Sequence, residues 1–203
     1  MGSFFDIFRK ERAKPPVFIV SGLPRSGTSL MMMMLEAAGI QPLTDFQRSA
    51  DQDNPRGYFE FERVKKLKDK DTDWLKGTEG KVVKVISALL PYLPADYRYQ
   101  VFFMRRALPE ILASQRKMLV HRGEDPEKIS DEEMGQYFER HIAQIEAWLN
   151  QQPNISCLYV DYNELLSDPR AQIHQINLFL GGKFDEERMV AAIDPNLYRQ
   201  RRN

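Results

Sequence analysis

The residues best suited to chemistry lie in a glycine-framed stretch, GLPRSGTS, which runs from Gly22 to Ser29. An apolar run precedes it and a segment with helical periodicity follows it. Two glycines in this context are typical of a loop whose backbone N–H groups bind an anion, helped by the positive end of the next helix. The hydroxyls of Ser26, Thr28 and Ser29 add side-chain donors. The sequence therefore predicts an anion-binding loop at the start of the first helix.

The loop lacks a lysine after its last glycine, because Thr28 follows Gly27. In loops that bind ATP or GTP, that lysine reaches the β- and γ-phosphates, and the hydroxyl beside it binds magnesium. The cation within this loop is Arg25, whose planar guanidinium suits a phosphate or sulfate group. We therefore expect a smaller anion held by protein cations, with no metal ion. The residues assigned to anion binding are Gly22, Pro24, Arg25, Ser26, Gly27, Thr28 and Ser29.

Apolar runs and helical patterns alternate along the chain. The runs that read as strands are Val17–Ser21, Val82–Ile86, Tyr99–Met104 and Ile155–Val160. The helical patterns are Thr28–Ala38, a charged segment around Phe61–Lys70, Pro109–Leu119, Asp131–Asn150 and Tyr162–Leu180. Continuous apolar strands are typical of a parallel sheet covered on both faces. The alternation predicts a three-layer α/β/α fold with a mainly parallel sheet and a ligand at the carboxyl ends of the strands.

Length and composition narrow the class of protein. The chain has 203 residues, and we read residues 1–203 as one domain in which 1–15 form a flexible N-terminal extension. Lysine plus arginine, 29 residues, equals aspartate plus glutamate, 29 residues, which argues against a nucleic-acid partner. A single cysteine, Cys157, no transmembrane run and no secretion signal predict a cytoplasmic protein. Nothing in the sequence predicts an oligomeric state.

Four segments resemble the P-loop sulfotransferases, in the order found in that family and over roughly residues 16–181. They are GLPRSGTSL, VVKVISALLPYLP, YQVFFMRRALPEILASQRKM and CLYVDYNELLSDPRAQIHQINLFLG. The resemblance extends both to cytosolic members and to members that use a glutamate base. It implies a P-loop NTPase-like fold and an enzyme that moves a sulfuryl group from 3′-phosphoadenosine 5′-phosphosulfate (PAPS) to a hydroxyl or amine. The acceptor would be a small molecule, a glycan or a lipid.

The resemblance also implies which residues hold the donor nucleotide. Arg106 and Ser114, eight residues later, correspond to the pair that binds the 3′-phosphate, and Arg105 is the reserve for that arginine. Tyr162 stands where the family places a tyrosine close to the adenine. Cytosolic members add a late glycine-rich loop over the 3′-phosphate, which this sequence lacks after Gly182. The arginines left to substitute for it are Arg199, Arg201 and Arg202.

The catalytic residues implied by the resemblance are Lys84, Arg25 and Glu60. Lys84 interrupts an apolar strand and would neutralise the leaving oxygen, together with Arg25. Cytosolic members carry a histidine two residues after the lysine, where this chain has Ile86. We therefore expect Glu60 to be the general base. Glu62 lies behind it, and Asp45 is an outside candidate.

Two other functions remain open from the sequence. The missing histidine and the missing late loop favour a noncatalytic nucleotide-binding protein of the same fold. A divergent P-loop kinase is the second alternative, although it would need the absent lysine. The histidines His121, His141 and His174 have no metal-ligand spacing, and we read them as surface residues.

Overall fold

The computed structural model describes residues 15–45, 47, 51 and 57–193. Its centre is a parallel sheet of four strands in the order β2-β1-β3-β4. The strands are β1 (Val17–Gly22), β2 (Val82–Lys84), β3 (Tyr99–Arg105) and β4 (Ile155–Asp161). The central strand β1 is buried along its whole length, as its unbroken apolar sequence predicts.

Helices connect successive strands and cover both faces of the sheet. The α-helices are α1 (Thr28–Ala37), α2 (Leu108–His121), α3 (Asp131–Leu149), α4 (Tyr162–Ser167), α5 (Pro169–Phe179) and α6 (Glu186–Ala191). Within the described ranges, 3₁₀ helices span Glu62–Asp69, Asp73–Leu75 and Ser87–Tyr92. The predicted three-layer α/β/α fold is confirmed.

The core is divided by the sheet into two layers, since alternate residues of each strand point to opposite faces. On one face, Phe18 and Phe102 pack with the methionines of α1 and with Ile173 of α5. On the other face, Ile19 and Phe103 pack with the C-terminal half of α3. The sheet is thereby fixed between two helical layers, and its carboxyl edge presents the ends of all four strands.

Several predicted elements differ from the structure. The helix predicted over Tyr162–Leu180 is two helices, because Pro169 cannot continue a helix and Asp168 caps the new one through the Ala171 N–H. Strand β2 ends at Lys84 and not at Ile86. The segment predicted as a helix around Phe61–Lys70 is a 3₁₀ helix. Helix α6 was not predicted.

Some predictions concern residues beyond the described ranges. Residues 1–14 of the expected N-terminal extension lie there, and so do Arg199, Arg201 and Arg202. The single-domain reading of residues 1–203 stays a prediction. Among the helices that are described, none combines the length and apolar character needed to span a membrane.

Candidate active site

Both framing glycines are required by the shape of the loop between β1 and α1. Gly27 has a φ of 99°, and a Cβ there would lie 2.3 Å from a ring carbon of Tyr162. Gly22 has a φ of 143°, and a Cβ there would lie 2.7 Å from the Met104 carbonyl oxygen. Both values of φ favour glycine. The backbone therefore passes close to its neighbours at both ends of the loop.

Arg25 joins this loop to helix α2. Its backbone is left-handed, with a φ of 70°, which is uncommon for a residue with a side chain. Its Nε donates a hydrogen bond to the Ser114 hydroxyl over 2.8 Å. The Ser26 hydroxyl has a different role from the one predicted, since it donates to the Leu23 carbonyl over 2.7 Å within the turn. Ser26 therefore stabilises the loop, and its backbone N–H also bonds to Leu23.

Lys84 lies at the carboxyl end of β2, beside the start of α1. Its ammonium group donates to the main-chain carbonyl of Tyr58 and lies 3.4 Å from the Ser29 hydroxyl. A lysine in an apolar strand is expected to reach an acceptor or solvent at the strand end, and the half-buried Lys84 does so. This placement brings the cation next to the last hydroxyl of the loop.

Arg106 is nearly buried behind the loop, with 7% of its side chain exposed. Its Nη1 donates to the Arg25 carbonyl over 3.1 Å, and its Nε donates to Glu110 over 2.9 Å. Its guanidinium also lies over the Tyr162 ring, 4.6 Å from the centroid. The second oxygen of Glu110 accepts from the Asn163 amide over 2.9 Å. Arg106 is therefore fixed in orientation by partners on three elements.

Arg105, the reserve candidate, is directed to other partners. Its guanidinium donates two hydrogen bonds to Glu146 of α3, at 2.9 and 2.7 Å. The same group lies 3.9 Å from the centroid of the Tyr159 ring. Arg105 is the last residue of β3 and Arg106 follows it, and the two neighbouring side chains contact different elements. The geometry thus associates Arg106, and not Arg105, with the loop.

The three carboxylates proposed for the acceptor side are in different environments. Asp45 accepts a hydrogen bond from the Glu62 N–H over 2.7 Å, so that it caps the 3₁₀ helix that begins there. The carboxylate of Glu62 pairs with Lys65 at 2.6 Å. Glu60 is half-buried and lies two residues after Tyr58, whose carbonyl contacts Lys84. The role of Glu60 as general base stays a prediction.

A hydrogen-bonded pair between Ser87, which follows β2, and His141 of α3 was not expected from the sequence. His141 of α3 is half-buried, and its Nε2 lies 2.8 Å from the Ser87 hydroxyl. Burial lowers the pKa of His141 below its ordinary value of 6.5. His141, predicted as a surface residue, is thus hydrogen-bonded and only partly exposed. Ile86, which stands where the resemblance implies a histidine, has 48% of its surface exposed.

A cavity of about 560 Å³ lies at the carboxyl ends of β3 and β4. Its walls are apolar side chains of the loop, α2 and α3, including Leu23, Ile111 and Ile142. Arg106, Glu110 and Asn163 form part of its polar lining. The cavity therefore borders both the loop, through Leu23, and the group of residues that fixes Arg106.

The loop was predicted from its own residues, and Lys84, Arg106 and Ser114 from the resemblance; their roles stay predictions. Sequence reasoning missed partners that only the fold brings near these residues. These partners are Tyr58 and Glu110, which are bonded in turn to Asp51 and Asn163. Glu110 alone had a local signal, because it lies in the first turn of α2, only four residues after Arg106.

The fold and the site define an α/β domain of the P-loop class, with an anion-binding loop between its first strand and first helix. Residues 15–199 match the family described as "Sulfotransferase domain". The chain belongs to this sulfotransferase family, which confirms the family and the class of enzyme predicted from the sequence.

Solved structures of sulfotransferase domains share the fold. One is the sulfotransferase domain from the curacin biosynthetic pathway, which is 17% identical with a TM-score of 0.54, over 89% of this chain and 78% of that one. Another is the sulfotransferase domain of the Synechococcus PCC 7002 olefin synthase, which is 18% identical with a TM-score of 0.54, over 95% and 86% of the two chains. No protein of curated function matches the sequence.

Proposed function

We propose that this sulfotransferase uses PAPS as its donor and transfers the sulfuryl group to a hydroxyl or amine of a small-molecule, glycan or lipid acceptor. The observation that carries the proposal is that three cationic side chains, those of Arg25, Lys84 and Arg106, lie in or against one loop. Lys84 contacts Ser29, Arg25 contacts Ser114, and Arg106 contacts the Arg25 carbonyl. Positive charge thus surrounds a loop that has no lysine after its last glycine.

The residues present suit PAPS as a ligand. The close-packed glycines leave the loop backbone without side chains at both ends, which favours contact between its N–H groups and the 5′-phosphosulfate. Arg106 and Ser114 would hold the 3′-phosphate, and Tyr162 would lie close to the adenine. Arg106 and Tyr162 already stack on each other. The planar donors of a fixed arginine match a phosphate group.

The reaction forms a bond from sulfur to the acceptor oxygen or nitrogen and breaks the bond from sulfur to the bridging oxygen, which keeps the electron pair. Lys84 donates a hydrogen bond to that oxygen and offsets its developing charge. Arg25 and the loop N–H groups stabilise the remaining sulfuryl oxygens. Glu60 accepts the proton that the acceptor loses. Protein cations supply the charge stabilisation, and we predict that no metal ion is needed.

Transfer of radiolabelled sulfate from PAPS into a mixture of acceptors tests the activity. We expect Lys84→Ala to lower kcat by about 10²-fold or more, the usual effect of removing a donor that acts on developing charge. Glu60→Ala should lower kcat with little change in nucleotide affinity. Lys76→Ala is the matched control, because Lys76 is an exposed lysine paired with Asp73. Wild-type rates in Lys84→Ala would contradict the role proposed for this lysine.

Calorimetry separates the possible ligand classes. We expect the product nucleotide, 3′-phosphoadenosine 5′-phosphate, to bind without magnesium and more tightly than ATP with magnesium. Binding of ATP with magnesium alone would instead favour a kinase. Tight binding of the product nucleotide without transfer to any acceptor would indicate a noncatalytic protein.

A further inference from the structure

The ammonium group of Lys84 contacts a segment that lies outside both the anion-binding loop and strand β2. Its main-chain partner is the carbonyl of Tyr58, which lies 26 residues earlier in the sequence. A lysine side chain has a flexible four-carbon stem, so a fixed acceptor is needed to hold its charge at one point. The position of Lys84 therefore depends on the position of the Tyr58 carbonyl.

The backbone around Tyr58 is fixed by an unusual turn. Phe59 has a φ of 51°, in the left-handed region that residues with side chains rarely adopt. After this turn the Glu60 carbonyl accepts from the Thr44 hydroxyl over 2.8 Å and from the Asp45 N–H over 3.3 Å. The reversal at Phe59 lets the Tyr58 carbonyl reach Lys84 while the Glu60 carbonyl bonds to the neighbouring segment. Such a conformation persists only where surrounding contacts impose it.

The side chain of Tyr58 supplies one of those contacts. The residue is buried, with 6% of its surface exposed. Its hydroxyl lies 2.7 and 2.8 Å from the two carboxylate oxygens of Asp51. A hydroxyl that donates to a carboxylate forms a stronger bond than one between neutral groups. Tyr58 is thus anchored at its side chain and contacts Lys84 through its main chain.

We propose that Tyr58 is a positioning residue for Lys84, and that its bond to Asp51 fixes the carbonyl that holds the lysine. The catalytic consequence rests on the function proposed above, whereas the anchoring itself does not. In this arrangement the hydroxyl of Tyr58 acts on the reaction through Lys84, which the Tyr58 carbonyl holds. Nucleotide affinity, which depends on Arg106 and Ser114, is left unchanged.

Tyr58→Phe tests the proposal, because it removes the hydroxyl and keeps the ring. We expect kcat for sulfuryl transfer to fall about tenfold while the Kd for 3′-phosphoadenosine 5′-phosphate stays the same. Reductive methylation of Lys84 in the full chain, followed by mass spectrometry of its peptide, gives a readout independent of activity. The Lys84 amine should react about fivefold faster in the variant, in line with the loss of one hydrogen bond.

Tyr99→Phe is the matched control. Tyr99 is also buried, and its hydroxyl donates to the Pro94 carbonyl over 3.0 Å at the other end of the sheet. Tyr99→Phe should lower the stability of the protein about as much as Tyr58→Phe does. Its kcat and its rate of Lys84 methylation should stay at wild-type values. The exposed Asp51 supplies a second test that spares the core. Asp51→Asn keeps an acceptor oxygen and should retain most activity, whereas Asp51→Ala should behave like Tyr58→Phe.

The outcomes distinguish the two proposals. Equal kcat and equal methylation rates in Tyr58→Phe and Tyr99→Phe would overturn the positioning role. A parallel loss of nucleotide affinity and kcat would also overturn it, since it would indicate general damage. If the wild type transfers no sulfate, the proposed function fails, while faster methylation in Tyr58→Phe and Asp51→Ala would still support the anchoring of Lys84.

Discussion

The Arg25 guanidinium donates a hydrogen bond to the Ser114 hydroxyl over 2.8 Å and so ties the anion-binding loop to helix α2. Ser114 is buried, with 6% of its surface exposed. Arg106 adds a second tie through the Arg25 carbonyl. A hydroxyl that accepts one hydrogen bond can still donate its own proton. Ser114 can therefore fix Arg25 and contribute to the proposed 3′-phosphate site at once.

Ser114→Ala should weaken binding of the product nucleotide through the 3′-phosphate. We expect the Kd for 3′-phosphoadenosine 5′-phosphate to rise about tenfold, the effect of one hydrogen bond to a charged group. The Kd for adenosine 5′-phosphosulfate, which has no 3′-phosphate, should change less. Calorimetry with both nucleotides measures the difference. Ser167→Ala is the control, since the Ser167 hydroxyl bonds only locally to the Glu164 carbonyl. An equal loss for both nucleotides would contradict the assignment.

Gly27→Ala should destabilise the protein more than its backbone conformation alone explains. Gly39 offers a close comparison, because its φ is 92° and a Cβ there would meet nothing within 4 Å. We expect Gly39→Ala to cost about 1 kcal/mol, the ordinary penalty for a left-handed alanine. Gly27→Ala should cost about 2 kcal/mol more, because its Cβ would overlap the Tyr162 ring.

Urea unfolding measures both costs. Binding of the product nucleotide should be lost in Gly27→Ala and kept in Gly39→Ala. Tyr162→Ala in the Gly27→Ala background should recover part of the stability by removing the ring. Equal destabilisation of the two glycine variants would show that the loop and Tyr162 are less closely packed than the structure indicates.

The buried pair between Arg106 and Glu110 should contribute far more to stability than the neighbouring pair between Arg105 and Glu146. The side chains of the first pair are 7% and 4% exposed, against 45% and 25% for the second. Glu110→Ala leaves a buried guanidinium without its carboxylate and should cost about 3 kcal/mol. Glu146→Ala should cost ~1 kcal/mol or less, as for other solvated pairs. Urea unfolding at neutral pH tests this, and equal costs would refute it.

The fold was predictable because its signals are local. The apolar run before Gly22 and the periodicity after Gly27 depend on neighbouring residues, and they specify the strand, the loop and the helix together. The break at Asp168 and Pro169 also had a sequence signal, since proline is favoured in the first turn of a helix and disfavoured in its interior. The prediction failed there because the apolar periodicity continues across the break.

The site was only partly predictable, because its supporting contacts join distant segments. Two adjacent arginines look alike in the sequence, and only the packing of α3 against the end of β3 brings Glu146 to Arg105 and so separates Arg105 from Arg106. Tyr58 contacts Lys84 through its main-chain carbonyl. Because every residue has such a carbonyl, no sequence pattern predicts this contact. Its location follows from the left-handed turn at Phe59, an unusual conformation for phenylalanine.

His141 should make the stability of the protein depend on pH in the mildly acidic range. Burial holds the pKa of its imidazole below 6.5, while the unfolded chain takes up a proton near that value. Between the two values the unfolded state binds more protons than the folded state, so stability rises with pH there. The contribution is therefore fully present above about pH 6.5 and decreases as the pH falls through the lowered pKa.

His141→Gln removes the titrating imidazole. As the pH falls from about 7.5 to 5, the unfolding free energy of this variant should decrease less than that of the wild type. This range brackets the ordinary histidine pKa. Urea unfolding across this range measures both slopes. Ser87→Ala is the control: it deletes the hydroxyl 2.8 Å from Nε2 but leaves the imidazole buried. It should lower stability at every pH and keep the wild-type slope. Parallel slopes for the wild type and His141→Gln would show that burial does not hold this imidazole neutral.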